Sequence, residues 1–310
     1  MKNSDIKIPL SVNYHFTRLC NMKCGFCFHT RKTSFSMDFE NAKKGLKILK
    51  QSGMKKINFA GGEPFTYPPF LEDLCKYCKN ELKLEKVSIV TNGTLVKEKF
   101  IEKNHEYIDM IGVSLDSFDE EINKKIGRGT GKNVIQAFKI AEWCKKYNIK
   151  FKLNTVVCKY NYNENMIENI QKLNPDRWKC FQVLMVKGEN DSNETLRNAS
   201  EFIISDEQFK MFCDKHKHLK CFVNESNKIM ANSYLILDEY MRFLYKNENG
   251  VEVPSKSILD NDIQEVLKEV NWDEDAFKYR NGDYFLNDEK LNHNIVDIED
   301  LAKNFDKQIV

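Results

Sequence analysis

Much is missing from this chain of 310 residues, and each absence removes a class of function. No apolar run approaches the roughly 20 residues that a membrane-spanning helix needs. The opening residues Met1–Asp5 resemble neither the start of an export signal nor an amphipathic anchor. Excess charge is absent as well. Lys and Arg number 48 against 46 Asp and Glu, a net of +2, so there is no electrostatic case for a nucleic-acid or membrane partner. There is no internal repeat and no low-complexity linker. Ten cysteines without an export signal imply a reducing compartment, in which disulfides are not expected. What remains fits a soluble intracellular enzyme with ample core material, 41% hydrophobic and 30% charged.

The stretch with the most chemistry is Cys20-Asn-Met-Lys-Cys24-Gly-Phe-Cys27, a C-x3-C-x2-C spacing close to the N-terminus. It follows Val12–Thr17, which alternates as a strand does. Thiolates packed this densely are soft ligands that suit an iron–sulfur cluster or zinc. Three of them leave one iron of a four-iron cluster open to a cofactor. His29, two residues beyond Cys27, could instead complete a Cys3His zinc site. Cys75-Lys-Tyr-Cys78 lies in a helical pattern without a partner pair, so it and the other five cysteines read as structural.

Short β-like runs alternate with helical patterns, the signature of a parallel sheet with crossover helices. Strands are expected at 13–17, 56–60, 86–90, 110–116, 150–157 and 177–184, with helices near 38–51, 69–81, 119–126, 133–147 and 164–173. These six units predict an α/β fold, a partial (β/α)6 TIM-like barrel over residues 1–190. A helical and irregular C-terminal extension, 191–310, is expected to close the site.

Alternation on the strands predicts an unusual interior. Asn13, Lys56, Asn58, Lys152, Asn154, Arg177 and Lys179 fall on one set of faces. Val12, Tyr14, Phe16, Ile57, Phe59, Phe151, Leu153 and Trp178 fall on the other. A packed barrel fills its centre with branched apolar side chains. Here four cations, Lys56, Lys152, Arg177 and Lys179, would converge there, and Glu63 and Asp116 are too few to answer them. A triphosphate, with roughly four charges near neutral pH, is the natural partner. A register slip of one residue would instead turn all four outward as solvated charges.

The cysteine spacing, with Gly61-Gly-Glu-Pro64 after the second strand, resembles the radical S-adenosylmethionine superfamily. The resemblance narrows further, to the viperin family of antiviral nucleotide dehydratases. It does so through 11–18, 24–30, Ile126–Gly129, Gly188–Asn190, Ser233–Phe243 and Pro254–Asp260. This resemblance implies a [4Fe-4S] cluster on Cys20, Cys24 and Cys27, with S-adenosylmethionine as cofactor. It places Gly61, Gly62 and Glu63 at the cofactor's amino group, and Ser114 and Arg128 at its carboxylate and ribose. Lys56, Lys152, Arg177 and Lys179 become triphosphate and ribose contacts, with Asn13 and Asn154 adding hydrogen bonds. Tyr234 and Lys152 are the implied catalytic side chains, Tyr234 in hydrogen or proton delivery.

The implied reaction converts a nucleoside triphosphate to its 3′-deoxy-3′,4′-didehydro analogue. Closeness to the animal members favours CTP, with UTP or GTP as alternatives. An electron donor of the flavodoxin or ferredoxin type is implied, and a monomer without membrane or nucleic-acid partner is expected. Animal members carry an N-terminal membrane-anchoring helix and end in tryptophan. This chain has about ten residues before the first strand and runs on through 292–307 to Ile309-Val310, more like a microbial member, so a cytoplasmic protein is expected. Two other readings stay open: a radical enzyme acting on a peptide or small metabolite, and a zinc-stabilised interaction protein.

Overall fold

The computed structural model describes residues 6–270, 272–284 and 286; the C-terminal run past Asn292 lies outside them. Six parallel strands form the barrel wall: β1 (Ser11–His15), β2 (Lys56–Ala60), β3 (Lys86–Thr91), β4 (Met110–Ser114), β5 (Lys150–Val157) and β6 (Arg177–Gln182). Helices fill the crossovers: α1 (Phe39–Gln51), α2 (Pro68–Lys76), α3 (Glu98–Asn104), α4 (Glu120–Ile126), α5 (Asn133–Lys146), α6 (Ile167–Leu173) and α7 (Asp206–His216). Each expected β/α unit is present. α3, which the periodicity did not pick out, has seven residues and two buried positions.

Local chemistry accounts for the boundaries. Asp38 caps α1 by accepting from the Asn41 amide at 3.0 Å. Gly53 at φ +99° then takes the left-handed turn into β2. β1 ends at His15 rather than Thr17 because the chain leaves the ladder to bind the loop after β2. The Thr17 carbonyl accepts from Gly62 N at 2.7 Å and the Leu19 carbonyl from Glu63 N at 2.8 Å. These two bonds bring the cysteine loop and the Gly-Gly loop together.

The apolar faces pack outward, under the helices. Val12, Tyr14, Phe16, Ile57, Phe59, Leu153 and Trp178 are fully covered. Trp178 donates its indole N–H to Thr155 Oγ1 at 2.9 Å, so its polar atom is not left unmet.

The extension differs from the expected helical and irregular segment. It supplies β7 (Phe222–Glu225), β8 (Leu235–Leu237), β9 (Arg242–Lys246) and β10 (Glu252–Ser257). They join the same sheet, in the order β10-β9-β8-β1-β2-β3-β4-β5-β6-β7. β7 runs parallel to β6, and β8 parallel to β1. Both strands are short and lack alternation, and their partners are distant in sequence, so no local pattern announced them.

Candidate active site

Register brings the inward side chains together in tiers. Lys152 pairs with Arg177 and Asn154 with Lys179 across β5 and β6. Asn13 pairs with Asn58 across β1 and β2, and Ser114 with Asn154 across β4 and β5. All four expected cations line one cavity of about 430 Å³. Gly112 makes room for one of them, since a Cβ there would lie 2.9 Å from Lys152 Cε. Burial, then the neighbouring Arg177, pulls the Lys152 ammonium down to about 8. Lys56 is also pushed well below the usual lysine range, by burial and then by Lys152.

Lys179 is not left unanswered, contrary to the expectation that only a ligand would meet these cations. Its ammonium contacts Glu225 of β7 and donates to Tyr234 Oη at 3.2 Å. Tyr234 in turn donates its hydroxyl proton to Glu225 Oε2. Arg280 lies with its guanidinium 3.6 Å from the Tyr234 ring centroid and 3.9 Å from Glu225 Oε1. Burial opposes the charge on Glu225, but Lys179 and Arg280 outweigh it and hold the carboxyl down to about 2. Burial, and then Arg177, Arg280 and Lys152, push Lys179 well below the usual lysine range, with the Glu225 carboxylate pulling the other way. Glu225 and Arg280 escaped the sequence reading. The only available signal was the shortage of acids to balance the cations.

At the other end of the cavity lie Cys20, Cys24 and Cys27, with Gly61 and Gly62. The cysteine loop is pinned by Lys23 N to the Gly127 carbonyl at 3.0 Å and by Gly25 N to the Ile126 carbonyl at 2.9 Å, at the end of α4. Burial raises all three thiols, Cys24 to about 12, while the Arg128 guanidinium works the other way. Arg128 lines the cavity and is paired with the buried Asp116. Ser114, Asn13, Asn154 and Tyr234 line it too, and Asn154 Oδ1 is buried without a partner.

Glu63 is placed differently from the other residues assigned to the cofactor. It is fully buried and is not among the residues that line the cavity. Its carboxylate accepts from Phe65 N at 3.0 Å, Thr91 Oγ1 at 2.7 Å and Asn92 N at 2.7 Å, tying the Gly-Gly loop to β3. Gly62 has no room for a side chain, since a Cβ would meet the Leu19 carbonyl oxygen at 2.2 Å and Arg18 C at 2.7 Å. Gly62→Ala should therefore separate the two loops and cost about 3 kcal/mol in urea unfolding.

The donor set bears on which metal group the site suits. His29 is buried with neither ring nitrogen partnered, edge-on to His15 at 4.4 Å. Among the described residues no three His, Cys, Asp or Glu side chains are grouped to hold one metal ion, the cysteine loop and His29 included. A four-iron cluster asks something else of its ligands, because each thiolate binds a different iron. Three free thiols on one cavity wall, beside a fixed guanidinium, fit that demand.

The sequence model of the Radical SAM superfamily matches residues 14–173. The S-adenosylmethionine-dependent nucleotide dehydratase RSAD2 of Oncorhynchus mykiss is 51% identical over 89% of this chain and 80% of its own length. The chain belongs to the viperin-type nucleotide dehydratases of the radical SAM superfamily. The RSAD2 protein of Danio rerio is also 51% identical, over 89% of this chain and 78% of its own. A bacterial relative, the nucleotide dehydratase of Lacinutrix mariniflava, is 39% identical over 93% of this chain and 61% of its own. Solved structures share the radical SAM fold. Streptococcus suis SuiB bound to S-adenosylmethionine has a TM-score of 0.63 at 18% identity, over 88% of this chain and 68% of SuiB. anSMEcpe with bound AdoMet has a TM-score of 0.62 at 18% identity, over 84% of this chain and 80% of that one. No helix among the described residues is long and apolar enough to cross a membrane.

Proposed function

We propose that this radical SAM enzyme dehydrates a nucleoside triphosphate, CTP in first place, to its 3′-deoxy-3′,4′-didehydro analogue, a chain terminator serving antiviral defence. One observation carries the reading. A cationic floor with Lys56, Lys152 and Arg177 shares a single cavity with three cysteine thiols. Buried cations of this density call for a polyanion.

In this reading Cys20, Cys24 and Cys27 hold a [4Fe-4S] cluster. With S-adenosylmethionine bound, that cluster supplies a hydrogen-abstracting radical derived from the cofactor. The backbone of Gly61 and Gly62 seats the cofactor's amino group, and Ser114 and Arg128 receive its carboxylate and ribose. Lys56, Lys152, Arg177 and Lys179 hold the triphosphate and ribose, and Asn13 and Asn154 add hydrogen bonds to them. Lys152 Nζ, with its proton held near pH 8, can protonate the departing 3′ hydroxyl. Tyr234 delivers hydrogen or a proton, and the described part of the extension, which lines the cavity with Tyr234 and Arg280, excludes water. The base assignment rests on closeness to the animal members, whose fish representatives are 51% identical against 39% for Lacinutrix mariniflava. A small flavodoxin- or ferredoxin-type donor would supply electrons to a cytoplasmic monomer.

Anaerobic incubation of the reconstituted enzyme with CTP, UTP and GTP, followed by mass measurement of the products, tests this. The expected result is loss of one water from CTP; cofactor turnover indifferent to every triphosphate would sink it. Tyr234→Phe should leave cofactor cleavage within a few-fold of wild type while product falls by about a hundredfold. Wild-type yield in that variant would remove Tyr234 from the chemistry.

A further inference from the structure

The cysteine loop is covered on one flank and bare on the other. On the covered flank the Phe202 ring lies against Gly25, where a Cβ would collide with its Cζ, and Phe26 packs edge-on to the same ring at 5.7 Å. On the bare flank Asn21, next to Cys20, and Lys23, next to Cys24, are both exposed. Asn21 donates to Thr94 Oγ1 at 2.9 Å and accepts from Asn92 Nδ2 at 2.8 Å, which joins the loop to the turn after β3. Gln136 of α5 donates to the Val96 carbonyl of that turn at 3.0 Å. Beside this bond Leu95 and Ile135 stand 38% and 57% exposed. Four lysines border them: Lys23, Lys97 before α3, Lys125 in the last turn of α4 and Lys132 before α5. All four are exposed, and none pairs with a carboxylate among the described residues. The acids nearby are engaged. Asp119 caps α4 at the Glu121 amide, Glu120 accepts from the Val134 amide, Glu121 pairs with Lys124 and Glu98 with Lys146. The unanswered charge of this flank is therefore positive, in a chain whose net charge is only +2.

We propose that this bare flank docks a small acidic one-electron carrier, its carboxylates meeting the lysines and its apolar centre meeting Leu95 and Ile135. This deepens the reading above and rests on it, since it needs the cluster on Cys20, Cys24 and Cys27. No bond forms or breaks at the contact: the carrier is oxidised by one electron, and the cluster is reduced by it. Electron transfer through protein falls steeply with distance, so a carrier has to approach where the cover is thinnest. Touching Asn21 and Lys23, it stands one residue from two of the three thiols. Exposed lysines steer an acidic partner in without holding it for long, which suits a contact that lasts for one electron. Two apolar side chains inside a charged border fit the small interfaces of redox encounters.

The test uses anaerobically reconstituted holoenzyme and two reductants: dithionite, and an acidic flavodoxin kept reduced by NADPH and its reductase. Bleaching of the cluster colour gives the rate with each. In the double variant Lys125→Glu with Lys132→Glu, the flavodoxin rate at low salt is expected to fall about tenfold or more. The dithionite rate should stay within about twofold, because a small reductant needs no docking face. Added salt should slow the wild-type flavodoxin reaction and leave the double variant nearly level. Lys97→Glu, on a separate segment, should lose about threefold with flavodoxin alone. Lys220→Glu, exposed just before β7 at the opposite end of the parallel strands, should change neither rate. An unaltered flavodoxin rate in both flank variants, a dithionite rate that falls with it, or an equal loss in Lys220→Glu overturns the proposal. Reconstituted wild-type protein that stays colourless refutes the cluster reading instead.

Discussion

Replacing Cys24 with Ala is expected to yield a colourless protein that forms no product, a loss of at least about a thousandfold. Cys24 is buried and lines the cavity with Cys20 and Cys27, so no other thiol can take its place on that wall. The visible absorbance of anaerobically reconstituted protein reads the cluster directly, and product mass reads its consequence. Cys75→Ala provides the contrast. Cys75 is fully buried under the sheet, away from the cavity, and its removal should cost about 1–2 kcal/mol of stability while colour is retained. Colour that survived Cys24→Ala but not Cys75→Ala would place the metal elsewhere and undo the site.

Lys152→Met should weaken triphosphate use by about 3 kcal/mol, on the order of a hundredfold in kcat/KM, because it removes a buried cation that lines the cavity. The same lysine sets a pH dependence. Burial, then Arg177, holds it near 8 in the free protein, so it is charged below that pH and neutral above it. kcat/KM should be level up to about pH 8 and fall beyond it as Lys152 loses its proton. In Lys152→Met the fall near 8 should shrink. Once the triphosphate is bound its charge favours the ammonium, so the corresponding limb of kcat should lie at higher pH. A kcat/KM profile that rises through pH 8 would show that this lysine acts as a neutral amine.

Legibility in the sequence followed the range of the interaction. The faces of β1, β2, β5 and β6 could be read residue by residue, because strand alternation is local and a polar inner face stands out against apolar neighbours. Asp38, Ser52 and Gly53 marked the ends of α1 for the same reason. Glu63 shows where reading by motif stops. Its position beside Gly61 and Gly62 does not reveal that Thr91 and Asn92 use both of its oxygens. β7 and β8 were illegible because three or four residues carry too little pattern, and their stability comes from edges supplied by β6 and β1.

The sequence by itself determined the partial barrel, the cysteine loop and the inward set of cations, since each depends on spacing within a few residues. Only the tertiary structure decided that an acid stands beside one of those cations. Glu225, Tyr234 and Arg280 reach Lys179 through pairings between distant segments, and the energy of a buried charge depends on whatever lies within a few ångströms of it, however far away that neighbour sits in the chain.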